Sequence, residues 1–239
     1  MSNYVAMCRR CRVEPERGLS PDHQYDLRKE RFGLYVPDVN DANAPFGLLV
    51  WISMGAPDIP EGYTDIFDKY QLISVGVDDS GKARKSTYGR RMPLALDSAH
   101  NVMKMYNVDP NRVYITGISA GGRVASVACM HYPDVFKGGI FIIGANCWEP
   151  VRNPTNRRKY WPASFYKPFG KYWNMARHHG RYVMLTGTKD FNRLEMHTYY
   201  HRVYKRTLKN VIYLEVPGMG HGIPPANWFE RAIEYIDKR

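Results

Sequence analysis

The fold is decided by residues 112–122, which read RVYITGISAGG. The first half is an apolar run of strand length, and the small residues that follow begin a predicted helix that ends at His131. A serine between Gly117 and Gly121 at such a turn has the GxSxG pattern of a nucleophile elbow, in which flanking glycines are needed where a Cβ would collide with neighbouring backbone. The stretch therefore predicts that Ser119 is a nucleophile.

Two more residues follow Ser119 in the order Ser, Asp, His that an elbow of this kind requires. A serine hydroxyl is a weak nucleophile unless a base removes its proton, and that base needs a carboxylate to orient it. Asp190 lies in the loop after the predicted strand 181–186, and His221 lies in the glycine-rich loop after the predicted strand 211–216. The sequence therefore predicts a catalytic triad of Ser119, Asp190 and His221.

Other titratable residues offer alternatives to these assignments. Glu195, shortly after Asp190, is a reserve for the acid, and Glu149 is a more distant one. His197 and His201 lie four residues apart on a predicted helix, a spacing that suits a metal. No carboxylate motif such as HExxH accompanies them, so we interpret them as a solvated or half-buried helix face. We expect no metal and no organic cofactor.

The oxyanion that forms during attack on a carbonyl needs backbone N–H donors. The N–H of Ala120, directly after the nucleophile, is the first expected donor. The second is expected from the loop after the predicted strand 47–52, where Ser53 and Met54 are the candidates. That loop reads SMGA over residues 53–56, without the HGGG of some lipases, and the sequence does not choose between its two donors.

Outward from the elbow, short apolar runs alternate with amphipathic ones, which is typical of an α/β fold with a mostly parallel sheet and helices on both faces. Residues 23–36 predict an opening hairpin. We expect an N-terminal extension over residues 1–22 and a single catalytic domain over residues 23–239. Residues 146–180 interrupt the alternation and predict a lid or cleft insertion, because long loops in compact domains usually serve a function.

Composition excludes several classes of protein. The chain has 239 residues, 44% of them hydrophobic, which is typical of a packed globule and not of an intrinsically disordered chain. No apolar run reaches the ~18 residues that cross a bilayer. Arg9, Arg10 and Arg12 interrupt the apolar core that a signal peptide would need, so we expect an intracellular protein or a mature form. The CxxC pair of Cys8 and Cys11 lacks a second ligand pair and is a weak metal signal.

The net charge of +11 is partly concentrated in residues 146–180, where cations alternate with aromatic residues. We interpret this segment as a substrate cleft, with Trp148, Trp161 and Trp173 as candidate substrate-binding residues, since exposed rings stack on aryl or sugar groups. The alternatives are a local core made of the same rings and, less favoured, a surface for single-stranded nucleic acid. A basic rim would favour esters carried on an anionic polymer.

Four stretches carry a family resemblance: residues 34–37 (LYVP), residues 106–122, residues 132–136 (YPDVF) and the segment around His221. Together they resemble α/β-hydrolase serine esterases of the polyhydroxybutyrate depolymerase and feruloyl esterase-like families. The resemblance implies the α/β-hydrolase fold and the same triad. It also implies secretion or a periplasmic location and action on esters of polymers.

The expected function is that of a serine carboxylic-ester hydrolase that works through an acyl-enzyme. Its expected substrates are aryl esters, feruloyl or acetyl esters of polysaccharides, or polyesters, in small-molecule or polymeric form. We expect no nucleic acid or membrane partner. The alternative is a catalytically inactive hydrolase scaffold that binds an anionic polymer. A peptidase of similar fold is less expected, because such enzymes usually carry an additional domain.

Overall fold

The computed structural model describes residues 4–15, 25–38, 44–52, 59–77, 86–156 and 158–238. The strands within these ranges are β1 Phe32–Tyr35, β2 Phe46–Ile52, β3 Leu72–Val77, β4 Val108–Ile118, β5 Gly138–Ile142, β6 Val151–Arg152, β7 Tyr160–Trp161, β8 Arg181–Gly187 and β9 Asn210–Val216. The α-helices are α1 Tyr4–Cys11, α2 Tyr63–Tyr70, α3 Met92–Met105, α4 Ala120–His131, α5 Gly170–His178, α6 Arg193–Tyr199, α7 Lys205–Thr207 and α8 Ala226–Ile236.

In the described part of the chain, seven strands form one sheet in the order β1-β3-β2-β4-β5-β8-β9. Only β1 is antiparallel to its neighbour in this sheet. Side chains of β2 alternate between two cores: Leu48 and Val50 face α3 and α4, whereas Leu49 and Trp51 face α2 and α8. This arrangement confirms the predicted α/β-hydrolase fold, with helices on both faces of a mostly parallel sheet.

The sheet order places the elbow at a natural site for ligands. From β2 the chain moves outward to β3, and it then returns to the other side of β2 with β4. In open α/β sheets, ligands bind at the carboxyl ends of the strands where the order reverses in this way. Ser119 directly follows β4 and therefore lies at that edge. No helix in the described ranges is both long and apolar enough to cross a membrane.

The predicted opening hairpin is wrong. Residues 27–29 form a short 3-10 turn, and β1 pairs antiparallel with β3, with Phe32 opposite Val77. An apolar alternation marks a strand but not its partner, and the outer edge of β3 accepts β1. Residues 23 and 24 of the predicted hairpin lie outside the described residues.

The described part of the predicted N-terminal extension packs into the main core. Its helix α1 buries four side chains: Tyr4, Met7, Cys8 and Cys11. The guanidinium of Arg10 lies between the rings of Tyr132 and Tyr172, 3.9 and 3.7 Å from their centroids, and pairs with the carboxylate of Asp134. Helix α1 is thereby tied to residues that come before and after β5 in the sequence. The division into an extension and one catalytic domain stays a prediction.

All four cysteines, Cys8, Cys11, Cys129 and Cys147, are buried free thiols. None of the four forms a disulfide. Burial raises the pKa of the Cys11 and Cys147 thiols to about 12. Because the thiolate is the reactive form, both residues are poor nucleophiles where they stand.

A buried ion pair ties the C-terminal end of α8 to the sheet. The guanidinium of Arg112, on β4, donates to both carboxylate oxygens of Asp237 at 2.7 Å. The Tyr114 hydroxyl donates to the same carboxylate at 2.8 Å, and Arg112 also donates to the carbonyl of Tyr70 at 2.7 Å. Arg112 and Asp237 are each only 8% exposed. The pair therefore satisfies its charges inside the protein instead of in water.

His131, the last residue of α4, is a buried imidazole with no role in the site described below. It is 1% exposed, and neither ring nitrogen has a hydrogen-bond partner among the described residues. Its ring meets the edge of Phe165 with centroids 5.5 Å apart. Burial, and to a smaller extent the charge of Arg10, lower its pKa from 6.5 to about 4. His131 is therefore neutral in the folded protein at neutral pH.

We expect His131 to destabilise the fold as the pH falls from 6.5 towards 4. Over that range the unfolded chain takes up a proton that folded His131 refuses, so the free energy of unfolding falls by about 3 kcal/mol on this account. His131→Leu replaces the titratable imidazole with an apolar side chain of similar size, so this acid-dependent loss should disappear. Urea unfolding of wild type and variant at neutral and mildly acidic pH measures the difference.

Exposed His179→Gln serves as the control and should retain the wild-type acid sensitivity. Equal losses of stability in wild type and His131→Leu on acidification would contradict the prediction.

Candidate active site

The turn between β4 and α4 holds Ser119 in a strained backbone conformation. Its φ is 52° and its ψ is −113°, a region that residues with a side chain rarely adopt. A Cβ on Gly117 or on Gly121 would overlap the carbonyl oxygen of Ile52, so only glycine lets the elbow approach β2 this closely. A conformation of this kind costs about 1–3 kcal/mol and persists only where the surroundings enforce it. The geometry is that of a nucleophile elbow.

A second strained residue lies at the same edge of the sheet. Ile143, directly after β5, has a φ of 46°, which is a genuine outlier for a β-branched side chain. Its N–H donates to the carbonyl of Leu185, and its own carbonyl accepts from the side-chain amide of Asn192. The Ser119 N–H donates to the carbonyl of Ile142 at 2.8 Å. Hydrogen bonds from neighbouring strands thus hold both residues in place.

Three side chains form a continuous hydrogen-bonded chain at this edge. Nε2 of His221 lies 3.0 Å from Oγ of Ser119, and Nδ1 of His221 lies 2.7 Å from a carboxylate oxygen of Asp190. Since a carboxylate only accepts, Nδ1 carries the proton and the lone pair of Nε2 faces the serine hydroxyl. The structure therefore brings together the three residues singled out from the sequence, in a geometry that can remove the serine proton.

The carboxylate of Asp190 is fully buried and well supported. One oxygen accepts from the Thr186 hydroxyl at 2.8 Å, and the other accepts from the backbone N–H of Asn192 at 3.2 Å as well as from His221. Sequence reasoning missed both supporting residues. Their signal was weak, a threonine at the end of an apolar strand and an asparagine two residues after the acid.

Glu195, the reserve acid, is engaged elsewhere. Its carboxylate pairs with the guanidinium of Arg123 and accepts from the hydroxyl of Tyr199 at 3.0 Å. Arg123 in turn donates to the carbonyl of Ala145 at 3.0 Å. Glu149, the more distant alternative, is exposed to solvent. The position next to Nδ1 of His221 is held by Asp190.

The oxyanion donors are described only in part. Ala120 is the first residue of α4, and its carbonyl accepts from the guanidinium of Arg91 at 2.6 Å. Burial lowers the pKa of Arg91 to about 10. Ser53 and Met54 lie outside the described residues, so both remain predicted donors.

The three tryptophans proposed for substrate binding pack against the protein's own rings. Trp148 is 5% exposed and contacts Trp173 and Tyr204, with centroids 5.4 and 4.7 Å away. Trp161 meets Tyr199 edge to face at 5.9 Å. A ring as buried as Trp148 offers no face to a ligand, so its substrate-binding role is corrected to one in a local core. The corresponding roles of Trp161 and Trp173 stay predictions, as does the lid or cleft over residues 146–180.

Sequence comparisons relate the chain to one protein family and, over short stretches, to individual known enzymes. Residues 95–238 match the prolyl oligopeptidase family. Poly(3-hydroxyalkanoate) depolymerase C of Paucimonas lemoignei is 46% identical over 59 residues, which are 24% of this chain and 14% of the depolymerase. Feruloyl esterase B of Neurospora crassa is 33% identical over 64 residues, which are 27% of this chain and 22% of the esterase. The matches thus span less than a quarter of either relative.

Solved structures extend the likeness over most of the chain. An S-formylglutathione hydrolase from Staphylococcus aureus superposes with a TM-score of 0.60 at 12% identity, covering 87% of this chain and 93% of that one. Est1E from Butyrivibrio proteoclasticus superposes with a TM-score of 0.55 at 15% identity, covering 86% of this chain and 91% of its own. At such identities the likeness shows the fold.

Proposed function

The chain belongs to the prolyl oligopeptidase family, and from that premise we propose that it is a serine carboxylic-ester hydrolase that works through an acyl-enzyme. The observation that carries the proposal is the hydrogen-bonded chain from Ser119 through His221 to Asp190, with the serine on a strained elbow. Strain of this kind is maintained where a function needs it.

In the proposed reaction, Nε2 of His221 takes the proton from Ser119 as Oγ attacks the ester carbonyl. Asp190 accepts the Nδ1 hydrogen bond throughout and stabilises the imidazolium. The N–H of Ala120, with a second donor from Ser53 or Met54, holds the oxyanion. His221 then gives its proton to the departing alcohol, which leaves an ester of Ser119. Water attacks that ester with His221 again as base and releases the acid.

The proposed substrates are aryl esters, feruloyl or acetyl esters of polysaccharides, or polyesters. Partial matches to a depolymerase, to feruloyl esterase B and to acetylxylan esterase A of Emericella nidulans support this range. Est1E from Butyrivibrio proteoclasticus, one of the proteins of similar fold, has been seen with ferulic acid bound. What the named substrates share is an ester carbonyl whose acyl group can pass to a serine.

Peptide hydrolysis is the second candidate, because the family is named for a peptidase. The same triad can attack an amide, but an amine is a poorer leaving group than an alcohol or a phenol. The two candidates predict different products from the same enzyme, so one set of assays separates them.

The test follows the first turnover. We expect p-nitrophenyl acetate to give a burst of nitrophenol that approaches one equivalent per enzyme. The protein should also gain the mass of one acetyl group, and that mass should be found on the peptide that contains Ser119. Methyl ferulate, acetylated xylan, hydroxybutyrate oligomers and an aminoacyl p-nitroanilide are then compared. Turnover of the anilide at rates matching the esters would favour the peptidase. Absence of any acylated Ser119 would overturn the proposal.

A further inference from the structure

Phe191, the residue after Asp190, places its ring on the imidazole of His221. The ring centroids are 4.1 Å apart and the planes are inclined by 24°, so the two rings are stacked. Phe191 is nonetheless 74% exposed. A phenyl ring is usually buried. Because most of the Phe191 ring is in solvent while it stacks on His221, the ring is available to contact another apolar group.

If the proposed function holds, the role of His221 determines which part of the substrate lies beside its imidazole during the reaction. Nε2 of His221 must come within hydrogen-bond distance of the departing alcohol oxygen in order to protonate it. A ring stacked on that imidazole therefore lies beside the alcohol portion of the ester. The acyl portion is bound covalently to Ser119 after the first step and is the only part of the substrate left at the site during the second.

We propose that Phe191 forms the apolar wall of a subsite for the alcohol portion of the substrate, and that it favours esters of aryl and arylmethyl alcohols over methyl esters. An aromatic group of the alcohol stacks on the face or edge of Phe191 that His221 leaves open. Phe191 is thus a specificity-determining residue for the leaving group, and it takes no part in the bonds that form or break.

The test uses acetate esters that differ only in the alcohol: methyl, butyl and benzyl acetate. Phe191→Ala should lower the ratio of kcat/KM for benzyl over methyl acetate by about three- to tenfold, the range expected for one aromatic contact. Phe191→Tyr keeps the ring and should retain the ratio, whereas Phe191→Leu should lose most of it. Leu194→Ala, in the first turn of α6, is the matched control, because Leu194 is also apolar and 40% exposed. Its ratio should stay at the wild-type value.

Deacylation supplies the decisive second readout. All three acetates give the same acetyl-enzyme, from which the alcohol has already departed, so Phe191→Ala should leave the rate constant for deacylation unchanged. A matching loss for all three esters and in deacylation would mean that the ring only holds His221, and it would overturn the proposal. An unchanged ratio in Phe191→Ala would overturn it as well. Lack of Ser119-dependent ester turnover by the wild type would instead contradict the proposed function itself.

Discussion

Ser119→Ala is expected to lower kcat for p-nitrophenyl acetate by about 10⁴- to 10⁶-fold, and His221→Ala by a similar factor. Both variants remove a step that no neighbouring group replaces, since attack needs Oγ and attack by a hydroxyl needs a base. Because the members of a triad act as a unit, Ser119→Ala combined with His221→Ala should cost hardly more than either change alone. Steady-state kinetics, with the single-turnover burst as a check, measure the loss.

Two comparisons make this result specific. Ser98→Ala removes a buried hydroxyl that is bonded to the carbonyl of Ala95 in its own helix, and its activity should stay near that of the wild type. Asp190→Asn should lose about 10⁴-fold, because the amide no longer selects the tautomer that His221 needs. Glu195→Gln should lose far less. Wild-type rates in Ser119→Ala, or equal losses in Asp190→Asn and Glu195→Gln, would refute the assigned roles.

Asp237→Ala is expected to lower the free energy of unfolding by about 3–5 kcal/mol, the usual cost of leaving a buried charge without its partner. The substitution strands the guanidinium of Arg112, which is 8% exposed, and removes the acceptor of the Tyr114 hydroxyl. The loss should appear as a lower urea midpoint with little change in slope. The proposed esterase activity of the protein that remains folded should be retained, because Arg112 lies in the amino-terminal half of β4 and Ser119 follows its carboxyl end.

An exposed ion pair provides the contrast. Nζ of Lys69 lies 2.6 Å from Oε1 of Glu230, but the Lys69 side chain is 63% exposed. Glu230→Ala should therefore change the free energy of unfolding little. The double variant Arg112→Met with Asp237→Leu should recover much of the loss, since replacing both partners leaves no charge stranded. A cost for Asp237→Ala no greater than that for Glu230→Ala would contradict the interpretation.

The elbow and the proximity of Ser119, Asp190 and His221 could be predicted because each of these residues is marked by its local sequence. Ser119, Asp190 and His221 each follow an apolar strand, and the parallel arrangement of the strands brings their ends together whatever the helices do. What surrounds them could not be predicted in this way. Glu195 and Asp190 are both carboxylates and lie close in sequence, but in the structure Glu195 pairs with Arg123 whereas Asp190 contacts His221.

Residues distant in sequence were missed for the same reason. Arg112 and Asp237 are separated by 125 positions, and neither carries a motif that announces a partner. Trp148 was proposed for substrate because aromatic residues among cations suit both a cleft and a core, and composition does not tell an exposed ring from a buried one. The prediction of an opening hairpin failed for a similar reason: the sequence pattern of a strand does not indicate which strand it pairs with, and β1 pairs with β3.

The contacts that hold the Arg10 side chain affect the order in which the chain folds. Helix α1 is synthesised before every group that holds this side chain, since the carbonyl of His131 and the carboxylate of Asp134 come 121 and 124 residues later and Tyr172 later still. The contacts of Arg10 therefore cannot all form until the chain as far as Tyr172 has been synthesised, and contacts this distant in sequence form slowly. The docking of α1 through Arg10 is therefore expected to be a late step in folding.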